Sequence, residues 1–269
     1  MVAYLTFFKG LLGGSNIVNG IGVTKASDGE YIGISDGTFA FDTNRRDGSD
    51  KQDAATKLKS GDVSGAEASW QAALNQESND PEALIYLEDQ QVLASGRPYI
   101  TIVVGTMLTG GNVGVGRDDL QGAYVAQKEY NDGFKLPNSV QVRLLIANSG
   151  TNSSDATTVA NQIVQAAGAD KTIVGVMGWP FSSNAVKAIS VLNAAHIPMV
   201  SETASSDSLT GISKYFFRVA PANLGQGIAG AKYVEQTLHA SKAALFVDTV
   251  DPYSSSLAND FSKQFTADG

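Results

Sequence analysis

The chain contains no cysteine, which removes disulfides, thiolate metal sites and cysteine nucleophiles from its chemistry together. Histidine is nearly as scarce. The two present, His196 and His239, lie far apart in sequence, so a histidine metal centre or catalytic triad is poorly supplied. Basic residues are outnumbered, 19 Lys and Arg against 27 Asp and Glu, for a net charge of -8. Nucleic acid and anionic membrane surfaces reward clustered Lys and Arg, so neither is expected as a partner. Long apolar runs are missing too. The one within residues 3–12 is broken by Lys9 and falls short of the roughly 18 apolar residues of a membrane-spanning helix. It also lacks the basic start and small-residue cleavage site of a signal peptide, so any tether is expected upstream of this chain. What remains, 43% hydrophobic and 17% charged over 269 residues, is a globular composition sufficient for one large or two ordinary domains.

Residues 1–52 form a leader rich in Gly, Asp and Ser. Its short β-prone pieces at 31–34 and 38–41 are separated by the turn pairs Asp28-Gly29 and Asp36-Gly37, which predicts a small hairpin or a strand-containing linker. Over residues 53–96 the period becomes helical: Ala55, Leu58, Ala66, Trp70, Ala73, Leu74, Ala83, Leu84 and Leu87 fall on i, i+3, i+4 stripes, predicting two helices and a turn. With Gly61, Ala66, Trp70 and Ala73 at small and large packing positions, this hairpin resembles a tetratricopeptide repeat, although Ser78 replaces the usual turn proline. A single copy cannot form a solenoid. It is expected to pack on the main domain, and a scaffold role would require Trp70 to be exposed beside a groove.

From residue 97 onward, apolar runs of strand length at 100–104, 140–146, 172–177, 197–200, 216–219 and 243–247 alternate with helical segments near 117–131, 155–168, 183–195 and 224–239. This βαβ alternation predicts an α/β fold, a doubly wound parallel sheet covered by helices on both faces. In open sheets of this kind a ligand sits beyond the carboxyl ends of the strands. Four loops there, 105–116, 148–154, 178–183 and 201–207, are rich in Gly, Ser and Thr and almost free of basic residues. Such loops suit hydrogen-bonding of a small polar ligand better than clamping a polyphosphate.

Ser182 and Ser183 stand where a helix N-cap is expected, so backbone N–H groups there would favour a carboxylate, with Trp179 as an apolar wall. Capping alone is the plainer reading of both serines. The first loop fails the dinucleotide pattern, because Gly114-Val-Gly116 is followed by Arg-Asp-Asp and the next strand ends at Asn148 without an acid. Neither a nucleophile elbow nor a Walker loop is present. We therefore expect no cofactor, no metal and no enzymatic activity. Asp248 and Asp251 could accept an ammonium group or serve only as turn residues.

In residues 103–110 with Gly122-Ala123, 173–178, 197–201 running to Leu209-Thr210, 215–219 and Asp248-Thr-Val-Asp-Pro-Tyr253, the chain resembles the leucine/isoleucine/valine-binding family of solute receptors, which has the type I periplasmic-binding fold. The resemblance implies a first lobe at 97–221 and the start of a second, incomplete lobe at 222–269, with a crossover near 220–224. It implies that Ser182, with Ser183 possible, binds an amino-acid carboxylate. It also implies that Thr203, Ala204 and Ser205 bind carboxylate and ammonium, and that Tyr253 closes over the ligand. The function so implied is the extracytoplasmic substrate-binding component of an ABC transporter, working by hinge closure with a membrane permease or signalling partner. A ligand-sensing input domain of a membrane receptor or kinase is the alternative. Closure needs a complete second lobe, so the chain alone is expected to bind amino acids weakly or not at all.

Overall fold

The computed structural model describes residues 17–267, and the chain divides into two compact units, one ending at Gly175 and one beginning at Val176. Residues 3–12, where no signal peptide is expected, lie outside the described residues.

The first unit is built on β3 (Tyr99–Thr106) and β4 (Gln141–Asn148), paired in parallel over their full length from Tyr99 opposite Gln141 to Thr106 opposite Asn148. On the far side of β4 runs β2 (Tyr31–Ser35), which is antiparallel to it, and then β1 (Gly22–Lys25), antiparallel to β2. β5 (Ile173–Gly178) begins beside β3, where the Thr101 amide donates to the Thr172 carbonyl at 2.8 Å. The strand order here is therefore β1-β2-β4-β3-β5, and the sheet is mixed rather than wholly parallel. The leader supplies the antiparallel edge. Its hairpin differs from the expected one, however: β1 pairs with β2, whereas residues 38–41 form no strand. The hydroxyl of Ser35 instead donates to the Phe39 carbonyl at 2.7 Å and accepts the Gly37 and Phe39 amides, closing a tight turn.

Three helices, not two, occupy the next stretch: α1 (Gly48–Lys59), α2 (Val63–Gln76) and α3 (Pro81–Ala94). Asp62 and Asp80 cap α2 and α3, accepting the amides of Gly65 and Ala83, and Pro81 fits the first helical position because its missing N–H would be unsatisfied there anyway. The apolar positions expected on two helices fall on three, because the chain breaks at residues 60–62 as well as at 77–80, and α1 also reaches back to Gly48 through polar residues. Trp70 is 1% exposed, packed 5.6 Å from the Tyr86 ring and under Gly37, so no groove is left beside it and a scaffold role loses its support.

Two polar networks tie these helices to the sheet. Asp89 of α3 accepts the Leu144 amide at 3.0 Å and the Gln127 side-chain amide at 2.7 Å, and Asn131 bridges Glu88 and β4. At the other end, Lys51 is 1% exposed among four buried carboxylates, Asp80 at 2.8 Å, Glu82 at 3.3 Å, Asp47 at 3.9 Å and Asp42 at 4.0 Å. Asp42 is held in turn by both Nε and Nη2 of Arg117 on α4 (Val113–Asp132). α5 (Asp155–Ala169) lays Val159, Ala160, Ile163 and Ala166 into the core.

The second unit carries the end of β5, from Val176, with β6 (Met199–Ser201) and β7 (Phe216–Arg218), all parallel, with Met177 opposite Val200 and Val200 opposite Phe217. α6 (Ser182–Ala194) buries the expected stripe of Ala185, Ala188, Ile189 and Leu192. α7 (Asn223–Lys232) packs closely on α8 (Pro252–Ala267), and a Cβ at Gly227 would lie 2.7 Å from that of Asp260. The run at 243–247 is not a strand. No strand among the described residues hydrogen-bonds to it, and a β-prone segment without a neighbour leaves its apolar side chains in solvent, Phe246 being 98% exposed.

Candidate functional site

In the first unit the glycine-rich loop after β3 is shaped by packing. Gly116 sits where any Cβ would run into the Met107 carbonyl, and Gly110, at φ +71°, faces Thr151 and Glu30. Asn148, ending β4, accepts the Leu108 amide at 2.6 Å and donates to the Tyr31 carbonyl at 2.6 Å. Glu30 accepts the Thr109 hydroxyl at 2.7 Å and the Thr151 amide at 3.0 Å. The polar groups of loops 105–116 and 148–154 thus hold one another.

All seven residues singled out for ligand contact belong to the second unit, on the loops that leave β5 and β6 and at the start of α8. Ser201, the last residue of β6, donates its hydroxyl to the Trp179 carbonyl at 2.7 Å and accepts the Ala204 amide at 3.1 Å. Thr203 donates to the Pro180 carbonyl at 2.9 Å. Ser182 accepts the Ser206 amide at 3.1 Å. Three of these four bonds, those to the Trp179 and Pro180 carbonyls and to the Ser182 hydroxyl, lock loop 179–183 to loop 201–206 at the carboxyl ends of neighbouring parallel strands.

The same lock extends to α7 and α8. The Ser205 carbonyl accepts the Asn223 amide at 2.8 Å, the Asn223 side chain donates to the Tyr253 carbonyl at 3.0 Å, and Ser206 donates to the Pro252 carbonyl at 2.8 Å. Arg218 is drawn in by the Ser206 carbonyl at 2.9 Å and the Thr210 hydroxyl. Ser201, Ser206 and Asn223 are organisers of the loops that sequence reasoning passed over. The only signal for the two serines was the density of hydroxyls from Ser201 to Ser206, which does not say which ones face the backbone, and Asn223 was marked only as part of the crossover near 220–224.

The geometry separates the expected contact residues into two groups. Trp179, Ser182, Ala204 and Ser205 are buried, whereas Thr203 and Tyr253 are exposed and Ser183 is half-buried. Phe181, not Ser182, is the N-cap of α6, with its carbonyl accepting the Ala185 amide. The two serines therefore occupy the first helical turn, where backbone N–H groups lack intrahelical acceptors, and Ser182 spends its hydroxyl on the neighbouring loop. Replacing Ser182 with alanine strands the buried Ser206 amide and is expected to cost about 1–3 kcal/mol in the second unit, read as a lower urea midpoint. A loss below a few tenths of a kcal/mol would show that the lock has another acceptor.

Asp248 accepts the Val250 and Asp251 amides, and Asp251 accepts the Ser254 amide at 2.8 Å. Both act as turn and helix-start residues. Behind the site, burial and then a hydrogen bond with Asp207 push the Asp260 carboxyl up to about 6. The described residues hold no cluster of three His, Asp or Glu placed to bind a metal, and no helix among them is long and apolar enough to cross a membrane. What the tips offer is hydroxyls and backbone donors at a helix start, suited to hydrogen-bonding a small polar or anionic group.

Residues 99–269 match the family model described as periplasmic binding protein. No curated protein matches the sequence. Among solved structures, the leucine-binding protein LivK of Thermotoga maritima superposes with a TM-score of 0.57 at 24% identity, covering 63% of this chain and 46% of its own. The branched-chain amino acid transporter substrate-binding protein LivJ of Streptococcus pneumoniae, solved with isoleucine, gives a TM-score of 0.56 at 22% identity over 62% and 47%. A solute-binding protein of an R. palustris ABC transporter, in complex with 4-hydroxybenzoate, gives 0.54 at 20% over 64% and 44%. At these identities the likeness is one of fold, and the chain spans a little under half the length of each of these structures.

Proposed function

Because the chain belongs to the periplasmic binding protein family, whose solved relatives are solute-binding proteins and not enzymes, we propose that it takes part in capturing a small polar solute, an amino acid first of all, as the extracytoplasmic substrate-binding component of an ABC transporter. The observation that carries this reading is the lock between loops 179–183 and 201–206. By fixing two strand ends side by side, it presents the first-turn N–H groups of α6 together with Ser183 and the Thr203 amide, the Thr203 hydroxyl being used in the lock. A carboxylate would be held by those donors. Ala204 and Ser205 would offer backbone groups beside it, Trp179 and Ser182 would support the loops from beneath, and Tyr253 would close over the ligand.

The partner is then a membrane permease, and the protein works outside the cytoplasm. Sensing by a receptor or kinase is the second reading. It is favoured by residues 17–96, which precede the family match yet are built into the first unit as β1, β2 and α1 to α3.

With Thr203 and Tyr253 exposed, the donors hold a ligand at the surface, where ordering it costs much of the interaction energy, so affinity on the order of 1 mM is expected. Titration of isotope-labelled protein with leucine, serine, glutamine and 4-hydroxybenzoate, followed by amide shifts, should move Ser183 and residues 203–205 saturably with at least one of them. Thr203→Val should abolish that shift while leaving the spectrum of β3 and β4 intact. Silence of both loops toward all four compounds would sink the proposal.

A further inference from the structure

The first unit contains a cavity of about 1260 Å³. It is bounded by the β1–β2 hairpin, the end of α1, the start of β4 and the end of α5. Its wall brings together three cations, Lys25, Lys59 and Arg143, and two carboxylates, Asp36 and Asp170. The carboxylates are already engaged. Asp36 accepts the Thr38 amide and hydroxyl, the latter at 2.7 Å, and Asp170 accepts the Thr172 amide at 2.9 Å and hydroxyl at 2.8 Å.

The cations are not. Among the described residues none of the three makes an ion pair, and the buried Nε of Arg143 has no hydrogen-bond partner, although Arg143 lies near enough to Asp89 to favour that carboxylate's charge. Lys25 stands 5.8 Å from the centre of the Tyr31 ring, and Tyr31 packs 5.4 Å from Phe39. On a chain of net charge -8, this is a locally cationic hollow beside apolar and aromatic walls.

We propose that this cavity is a second ligand site, separate from the strand tips, and that it takes a small amphipathic organic anion. The acidic head would meet Arg143 and the two lysines, and the apolar body would lie along Tyr31, Phe39 and Val23. The Arg143 Nε is itself shut off from the hollow, so the acidic head would pair with the outer guanidinium nitrogens and the lysine ammoniums, as charge-assisted hydrogen bonds. Aromatic walls and a few converging polar groups are the usual make-up of a small-molecule site. The inference does not depend on the solute-binding reading, because no residue of loops 179–183 or 201–206 takes part.

The test uses the whole chain and the fluorescent anion 8-anilinonaphthalene-1-sulfonate, with its uncharged analogue N-phenyl-1-naphthylamine as control. We expect saturable binding of the sulfonate. The exposed double variant Lys25→Gln, Lys59→Gln, which should fold normally by circular dichroism, should weaken it about three- to tenfold. The same variant should leave the uncharged probe unaffected, and dodecanoate should displace the sulfonate. A sulfonate affinity unchanged in the double variant would overturn the proposal, as would equal losses for both probes. Disappearance of the saturable phase in Phe217→Ser, a change on the exposed sheet face of the second unit, would also overturn it.

Discussion

Lys51→Met is expected to remove about 3–5 kcal/mol from the stability of the first unit, since it leaves Asp42, Asp47, Asp80 and Glu82 buried around a missing charge. Methionine preserves the length and apolar stem of the side chain, so the loss reports the charge. Burial by itself would lower the lysine's pKa, but Glu82, Asp80 and Asp42 outweigh it and hold the ammonium above its usual value, fully charged. For Asp47 and Glu82 the balance is reversed. Burial pushes Asp47 from 3.8 up to about 6, against the opposing pull of Lys51, and it raises Glu82 as well.

A carboxyl whose pKa is higher folded than unfolded binds its proton more tightly in the native state. Its contribution is complete below about pH 3.8 and is lost as the pH rises through about 6 for Asp47. Asp89, pushed to about 7 mainly by burial, follows the same course over a wider window. These groups should therefore make the wild-type unit more resistant to urea at pH 5 than at pH 8. The gain on acidification should be larger in Lys51→Met, where Arg45 and Arg117 alone oppose protonation. Urea midpoints at the two pH values, with amide exchange on β4 to localise the effect, measure both. A variant within 1 kcal/mol of wild type at pH 8 would mean that the four carboxylates are hydrated and that the lysine is dispensable.

Trp179→Ala carries the second large effect, about 3–5 kcal/mol, because the side chain is 0% exposed and its removal leaves a large cavity under the lock between β5 and β6. The carbonyl of residue 179 is the acceptor for Ser201, so collapse of the loop should also loosen the Ala204 and Ser206 amides, which exchange slowly only while the lock is closed. Guanidinium unfolding gives the magnitude and hydrogen exchange gives the location. A stability change under 1 kcal/mol, with Ser206 still protected, would show that the loops are held without the indole.

Much of the molecule could be read before any coordinates. Five of the six strand-length runs from residue 97 onward are strands, and the four helical segments among them begin and end within a few residues of the periodic pattern, except that the segment expected at 224–239 leaves α-geometry at Tyr233 for a π-turn. The leader was less legible. β1, Gly22-Val-Thr-Lys25, is too short and too polar to stand out, although the turn pair Asp28-Gly29 lies at the tip of the hairpin that joins it to β2. Lys51 reads as one more polar residue on a helix. Its burial depends on acids at 42, 47, 80 and 82, two of them some thirty positions away.

The α/β alternation, the family and the loops at which donors collect were determined by the sequence itself, because apolar periodicity and Gly/Ser/Thr clusters are local properties of the chain. Which hydroxyls face a ligand and which are used in holding loop to loop was decided only by tertiary structure. Ser182, Ser201 and Ser206 are chemically alike, and a hydroxyl's role is set by the nearest unsatisfied backbone group, which folding brings from twenty or more residues away.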